Sequence, residues 1–320
     1  MIEAWTNASL HDKARYHADV CAPSQINATA SNWHALRMSP NQTATLLILL
    51  SALLHAAANM LIKVSGDALT TRGCMNAFAC LVALPFLPWV PLPGADLWPL
   101  LAASVAVHAL YPFLLVQAYR AGDLSLVFPL ARGTAPLFIA VFAYLALSEP
   151  LRPAAAGGVM LVSLAIASLA YAGSLRRHAG QSRGIGFAFA TALTIAVYTV
   201  VDAAGLRRAS TPWSYIVWLF VLDGAIVALL VYVRRRGVVR TFLATEWRST
   251  LAAAALGVLT YGLALLALSM GAVAEIGALR ETSIVFAAFI GAYVLREPLG
   301  RPRVCAALVV AAGIILMQLR

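Results

Sequence analysis

Apolar residues in this chain do not recur at the period of a surface helix or a half-buried strand. They gather into stretches of about 20 residues separated by short polar breaks. At about 1.5 Å per residue, such a stretch covers the roughly 30 Å of hydrocarbon in a bilayer. Ten stretches can be read, near residues 43–63, 73–92, 97–119, 124–147, 153–174, 184–203, 213–233, 250–269, 273–295 and 303–319. Between them stand turn and breaker signals such as Pro91-Leu92-Pro93-Gly94, Gly122-Asp123 and Glu149-Pro150, which leave no room for a soluble domain. The expected fold is an all-α membrane protein of ten transmembrane helices.

Composition agrees: 62% of the 320 residues are hydrophobic and 11% charged, where soluble domains carry roughly 25% charge. A formal charge of +10 in a soluble chain would point to nucleic acid. Here the arginines stand at the ends of apolar stretches, so topology explains them and no nucleic-acid partner is expected. Loops after odd-numbered spans, with their flanks, hold 14 Lys and Arg, and the other face with the N-terminal tail holds 7. The positive-inside rule then places both termini outside. Cys21, Cys74, Cys80 and Cys305 form no close pair, so neither a metal site nor a disulfide framework is supported.

Residues 1–41 differ in kind. They are polar, lack the apolar core of a signal peptide, and are expected to form a poorly ordered extension. Met38 directly precedes Ser-Pro-Asn and the first span, which makes it an alternative start. The triplets beginning at Asn7, Asn27 and Asn41 match the glycosylation pattern, which is too frequent by chance to carry function.

The chain also repeats itself. Leu130-Ala131-Arg132 through Leu147-Ser148-Glu149-Pro150-Leu151 falls on Ala278-Leu279-Arg280 through Leu295-Arg296-Glu297-Pro298-Leu299 at a constant shift of 148 residues. Upstream, with one residue of slippage, Ala118-Tyr119-Arg120-Ala121-Gly122 falls on Ala267-Leu268-Ser269-Met270-Gly271. Five spans per copy is an odd number, so the second copy enters the membrane from the opposite face. Two inverted five-helix repeats are expected, residues 42–174 and 182–320, joined by a linker at 175–181; carriers often place a site at the shared midplane of such repeats.

On these residues the chain resembles the EamA-type transporters of the drug/metabolite transporter superfamily, over about residues 43–319. The likeness rests on the duplicated layout, on Ala118-Tyr119-Arg120-Ala121-Gly122-Asp123-Leu124-Ser125 leading into Phe128-Pro129-Leu130-Ala131-Arg132-Gly133, and on the two Glu-Pro-Leu turns. It implies a bundle in which spans 1–4 and 6–9 surround a central cavity while spans 5 and 10 pack at the periphery. Relatives of this kind carry amino acids, sugar conjugates, phosphorylated metabolites or cationic drugs. Better-known ten-span members are cytoplasmic at both ends, opposite to the charge count above, which we keep as the expectation.

Charged groups at membrane depth cost at least about 2.5–3.5 kcal/mol, so each needs a partner, a cavity or a use. Arg132 and Arg280 lie at similar depth in spans 4 and 9, and two forked donors there suit a carboxylate or phosphate. The alternative is neutralisation by Glu281, Glu275 or Asp223, which are equally the candidates for proton coupling. Pro129 and Pro136, with Gly133 between them, should kink or partly unwind span 4; the second copy has Gly277 and no proline. A simple packing kink is the alternative.

Ser51, His55, Asn59 and Lys63 recur every four residues on one face of span 1, and Thr191, Thr194, Tyr198 and Asp202 form a comparable face of span 6. Span 3 adds His108 and Tyr111, and span 8 adds Tyr261. The expected substrate-binding set is Arg132, Arg280, His55, Asn59, His108, Tyr111, Tyr198 and Tyr261, with interhelical hydrogen bonding as the competing role for the polar stripes. Small residues such as Ala154, Gly158, Ala307 and Ala311 suit close helix packing or dimerisation. Trp89, Trp98, Trp213 and Trp247 stand where interfacial anchors stand.

No nucleophile motif, phosphate loop or metal-ligand cluster occurs, which argues against an enzyme. The expected function is secondary transport of a small polar, anionic or zwitterionic metabolite across the inner or plasma membrane by alternating access, with protons as the candidate coupling ion. No cofactor is expected, and the protein is a monomer or homodimer in lipid. The alternatives are a lipid-carrier flippase, or a membrane-embedded enzyme on a lipid-linked substrate with His108, His55 and an acid grouped together.

Overall fold

The computed structural model describes residues 39–64, 68–174, 181–294 and 301–319. The expected extension up to residue 38 with Cys21 and two of the three Asn triplets, most of the 175–181 linker, the Glu297-Pro298-Leu299 turn and the Lys63 side chain lie outside the described residues. The chain divides into two units, Met1–Gln42 and Thr43–Arg320. In the first, Ser39 Oγ accepts from the Gln42 N–H at 3.3 Å while the Ser39 N–H donates to Gln42 Oε1 at 2.9 Å. This reciprocal cap starts the first helix at Pro40, ahead of the expected Thr43.

All described elements are helical: α1 Pro40–Val64, α2 Ala68–Ala83, a 3-10 turn Leu84–Trp89, α3 Trp98–Ala121, α4 Leu124–Leu147 and α5 Pro153–Ser174, then α6 Gln181–Arg208, α7 Pro212–Met270, α8 Val273–Arg280, α9 Ser283–Val294 and α10 Arg301–Gln318. Among the described residues, six segments are long and apolar enough to cross a membrane, and three shorter apolar helices accompany them. Span 2 ends in the 3-10 turn because Pro85 and Pro88 remove the donors an α-helix needs.

Helix α7 is assigned as 59 continuous residues, yet it is not straight. The rings of Phe220 and Tyr261 lie 6.2 Å apart, whereas 41 residues of straight helix would part them by about 60 Å. The chain therefore reverses between two limbs, Pro212–Arg234 and Ala244–Met270. These are the expected spans 7 and 8.

Partial unwinding, one of the two forms expected of span 4, is found in span 9 instead. α4 runs unbroken through Pro129 and Pro136, held along its length by α5, α6 and α8. In span 9, the Glu281 and Thr282 N–H groups reach back only three residues, to the carbonyls of Ala278 and Leu279, both at 3.1 Å. Thr282 Oγ1 also takes the Leu279 carbonyl at 2.7 Å. That tightening separates α8 from α9, and regular bonding resumes from Phe286 N–H to the Thr282 carbonyl.

α2 packs on the first limb of α7, α3 on α6, and α5 on α10. The last contact is close because both sides are glycine: a Cβ on Gly158 would stand 2.6 Å from the Gly313 carbonyl oxygen, and one on Gly313 would stand 2.9 Å from that of Gly158. The small-residue stripes thus pack against each other within one chain. Outward-facing Leu145, Leu164, Leu229 and Leu308 are well exposed, as are Trp89, Trp98, Trp213 and Trp247, a surface suited to lipid with aromatic anchors at its rims.

The first Glu-Pro-Leu turn has a structural role. Ser148 adopts the left-handed conformation, φ 53°, that ends α4. Glu149 then pairs with Arg207 at the end of α6 and accepts the Val273 N–H of α8 at 3.0 Å, a carboxylate at a helix N-terminus. Arg152 pairs with Glu275 at 3.3 Å and donates to the Met317 carbonyl of α10 at 3.3 Å. Four helix ends are stapled by one turn.

Candidate functional site: a polar cavity at membrane depth

A cavity of about 210 Å³ opens among α1, α2, α3, α4, α6, both limbs of α7 and α8. All eight residues of the expected binding set line it, as does Asp223. Two expected coupling residues do not. Glu275 is engaged with Arg152, and Glu281 faces α4 at the cavity's edge. Beyond Arg280 and Glu281 the bundle is plugged by Ile48, Ile139, Ile195, Leu268 and Ile276, with a void of only about 10 Å³ among them. The cavity is therefore shut on the side of the Glu149 staple.

Periodicity explains how α1 serves two ends. Ser51 is fully buried and donates to the Thr260 carbonyl at 2.6 Å, the structural use of the stripe. One and two turns further on, His55 and Asn59 reach the cavity. On α6, Thr191 and Thr194 return their hydroxyls to their own helix, at Phe187 and Thr191, while Tyr198 lines the cavity.

Arg132 is buried and fully engaged. Its Nη1 meets Glu281 Oε1 at 3.2 Å and its Nη2 meets His55 Nε2 at 3.2 Å. A guanidinium can only donate, so His55 Nε2 accepts and its ring hydrogen sits on Nδ1. Phe128 lies 5.7 Å beneath the guanidinium carbon. Arg280 contrasts with this. Among the described residues it makes no hydrogen bond or ion pair, its Nε is buried without a partner, and its guanidinium carbon rests 5.1 Å from the Tyr261 ring centroid.

On α7, Asp223 Oδ2 accepts from Asn76 Nδ2 at 3.4 Å, and Oδ1 is buried without a partner among the described residues. An aromatic wall joins the charged groups. His108 stacks on Tyr198 with centroids 4.3 Å apart, and Tyr111, Phe220 and Tyr261 stand edge-on around them.

Sequence reasoning placed Asp202 on the inner face of α6 but gave it no role. It is fully buried and accepts from three hydroxyls, of Ser104, Tyr215 at 2.9 Å, and Tyr261. Asn76 was missed outright, since a single amide in a short apolar helix carries no periodic signal. No group of three or more potential metal ligands occurs among the described residues.

Residues 182–319 match the EamA-like transporter family. A crystal structure of a protein 18% identical superposes with a TM-score of 0.71, over 86% of this chain and 96% of its own. At that identity the likeness speaks for the fold alone. No curated protein matches the sequence. Apolar helices, a polar cavity at their centre and this family match converge: residues 182–319 form an EamA-like transporter family domain of the drug/metabolite transporter superfamily, and the chain is a multi-pass membrane protein.

Proposed function

We propose that the protein carries a small amphoteric metabolite, one with an anionic and a cationic group, by alternating access. The observation that carries this reading is that Arg280 Nε and Asp223 Oδ1, on residues lining one cavity, are buried without a hydrogen-bond partner among the described residues. Among the described residues this guanidinium at membrane depth is offset only by its ring contact, about 0.5–2 kcal/mol, against an insertion cost at least as large. A carboxylate or phosphate on the substrate supplies what it lacks, and a substrate amine does the same for Asp223. At about 210 Å³ the cavity is smaller than the roughly 300–1,000 Å³ of drug-sized sites, which favours a metabolite over a lipid carrier.

Two inverted repeats of five spans fit the packing. Helix 2 meets span 7 and helix 5 meets α10, so two of the contacts join equivalent members of the two copies, as a two-fold relation requires. α3 with α6, and α1 with the second limb of α7, are the exchanged pairs. With one end plugged by isoleucines and stapled by Glu149, rocking one repeat against the other opens that end and shuts its opposite.

Uptake of a panel of radiolabelled amino acids, organic acids and phosphorylated metabolites into proteoliposomes tests the reading. Flux of at least one amphoteric member is expected, with a loss of about tenfold or more in Arg280→Ala, the range of a charge-assisted hydrogen bond. Flux that survives Arg280→Ala and Asp223→Asn unaltered overturns it.

A further inference from the structure

Four side chains next to the cavity close into a hydrogen-bonded ring. His108 Nε2 meets the Tyr261 hydroxyl at 2.9 Å, and that hydroxyl meets Asp202 Oδ2. Asp202 Oδ1 meets the Ser104 hydroxyl, which meets His108 Nδ1 at 3.1 Å. Both imidazole nitrogens are thus tied to one carboxylate through one hydroxyl each.

Counting hydrogens fixes the ring's charge states. An ionised Asp202 only accepts, so Ser104 and Tyr261 each spend their single proton on it and offer His108 lone pairs alone. Nδ1 also faces the Ser104 carbonyl oxygen at 2.9 Å, another pure acceptor. Every bond is satisfied when both ring nitrogens carry hydrogen, that is, when His108 is an imidazolium facing the Asp202 carboxylate. One concerted shift gives the other satisfied state. Nε2 passes its hydrogen to the Tyr261 oxygen while Tyr261 passes its own to Asp202 Oδ2, leaving a neutral imidazole and a neutral acid. If the proton leaves altogether, Nε2 and Asp202 compete for the one Tyr261 hydrogen, and one bond breaks.

We propose that His108, Tyr261, Asp202 and Ser104 form the proton-carrying site of this transporter, loaded and emptied through the cavity, with Tyr261 conveying its state to Arg280. The proposal rests on the transporter reading above and adds the coupling ion. His108 lines the cavity, so its proton can be exchanged there. Tyr261 is at once a member of the ring and the face on which Arg280 rests, so a change in its hydroxyl bonding shifts the seat of the substrate's cationic anchor.

Other ionisable groups face the ring from each neighbouring helix. Tyr198 of α6 stacks on His108, Tyr111 stands one turn along α3, and Tyr215 of α7 donates to Asp202. Asp223 of α7 and Arg280 of α8 share the cavity wall with His108. Arg132 of α4 is neutralised by Glu281 and bound to His55 of α1, which leaves Asp223 and Arg280 as the charges that change when substrate arrives.

Nitrogen-15 imidazole shifts of histidine-labelled protein in nanodiscs, assigned by their loss in His108→Gln, read the ring directly. Both His108 nitrogens protonated at pH 7 is expected, with one losing its hydrogen in Asp202→Asn and in Ser104→Ala. A neutral His108 tautomer in the unmodified protein overturns the proposal. In voltage-clamped proteoliposomes a gradient of one pH unit should drive accumulation of a carried panel member approaching about tenfold, the limit for one proton per substrate. In Asp202→Asn the accumulation ratio should fall to about one. Equal gradient-driven accumulation in both proteins overturns the ring and leaves the transporter reading standing. If no panel member moves, that reading fails, and the nitrogen shifts still decide the ring.

Discussion

Arg132 and Arg280 occupy matching positions in the two sequence copies, 148 residues apart, yet their surroundings have diverged completely. Arg132 is sealed by Glu281, His55 and Phe128. Arg280 has one aromatic face and an orphaned Nε. The first is built as a structural ion pair and the second as a waiting charge. A pair of arginines at membrane depth is therefore not a symmetric clamp: one guanidinium is tied into the scaffold and the other is left facing the cavity.

The largest expected effect tests the sealed side. Glu281→Ala strands a buried guanidinium and should cost about 3–5 kcal/mol of unfolding free energy, measured by denaturant titration in mixed micelles. Arg280→Ala should change stability by less than about 1 kcal/mol by the same measurement, because among the described residues it breaks no hydrogen bond or ion pair and the lost ring contact is offset by removing a buried charge. Equal costs in the two variants would erase the distinction. On the open side, Arg280→Ala should lower proteoliposome flux about ten- to a hundredfold, matching the 1.5–3 kcal/mol of a hydrogen bond to a charged group. Arg280→Lys, which keeps charge but loses the fork, should fall between the two, by roughly tenfold or less. Asp223→Asn sharpens the comparison from the other pole of the substrate: a loss of several-fold is expected for amine-bearing substrates and none for simple anions. The smallest effect belongs to His55→Gln, where an amide can still accept from Arg132, so stability should drop by only about 0.5–1.5 kcal/mol.

How far this was legible in the sequence follows from what periodicity reports. It reports faces, and so the stripes of α1 and α6 and the depth of Arg132 and Arg280 could be read directly. It does not report which residue on a facing helix answers. Glu281 follows Arg280 in sequence, which invites pairing the two, but consecutive positions on a helix point about 100° apart. Arg280 thus turns to the cavity and Glu281 to α4, where its partner lies 149 residues away. Asp202 looked like the last polar position of a stripe because its three hydroxyl donors come from three different stretches of chain. The break in span 9 gave no proline or paired-glycine signal; Thr282, whose hydroxyl takes a helix carbonyl, was its only mark.

Helix α8 is gripped along its length by the α4 segment. Glu149 holds its first N–H, Ile139 fills the space over Gly277, where a Cβ would come within 2.7 Å, and Arg132 holds Glu281 just past its end. Seen as inheritance, this makes the two halves of the gene interdependent. The cavity-lining Arg280 sits on a short rod whose three fastenings are encoded 124 to 149 codons upstream, so neither half can drift freely. A change in either half of the chain that loosens one of these fastenings therefore has to be answered by a change in the other.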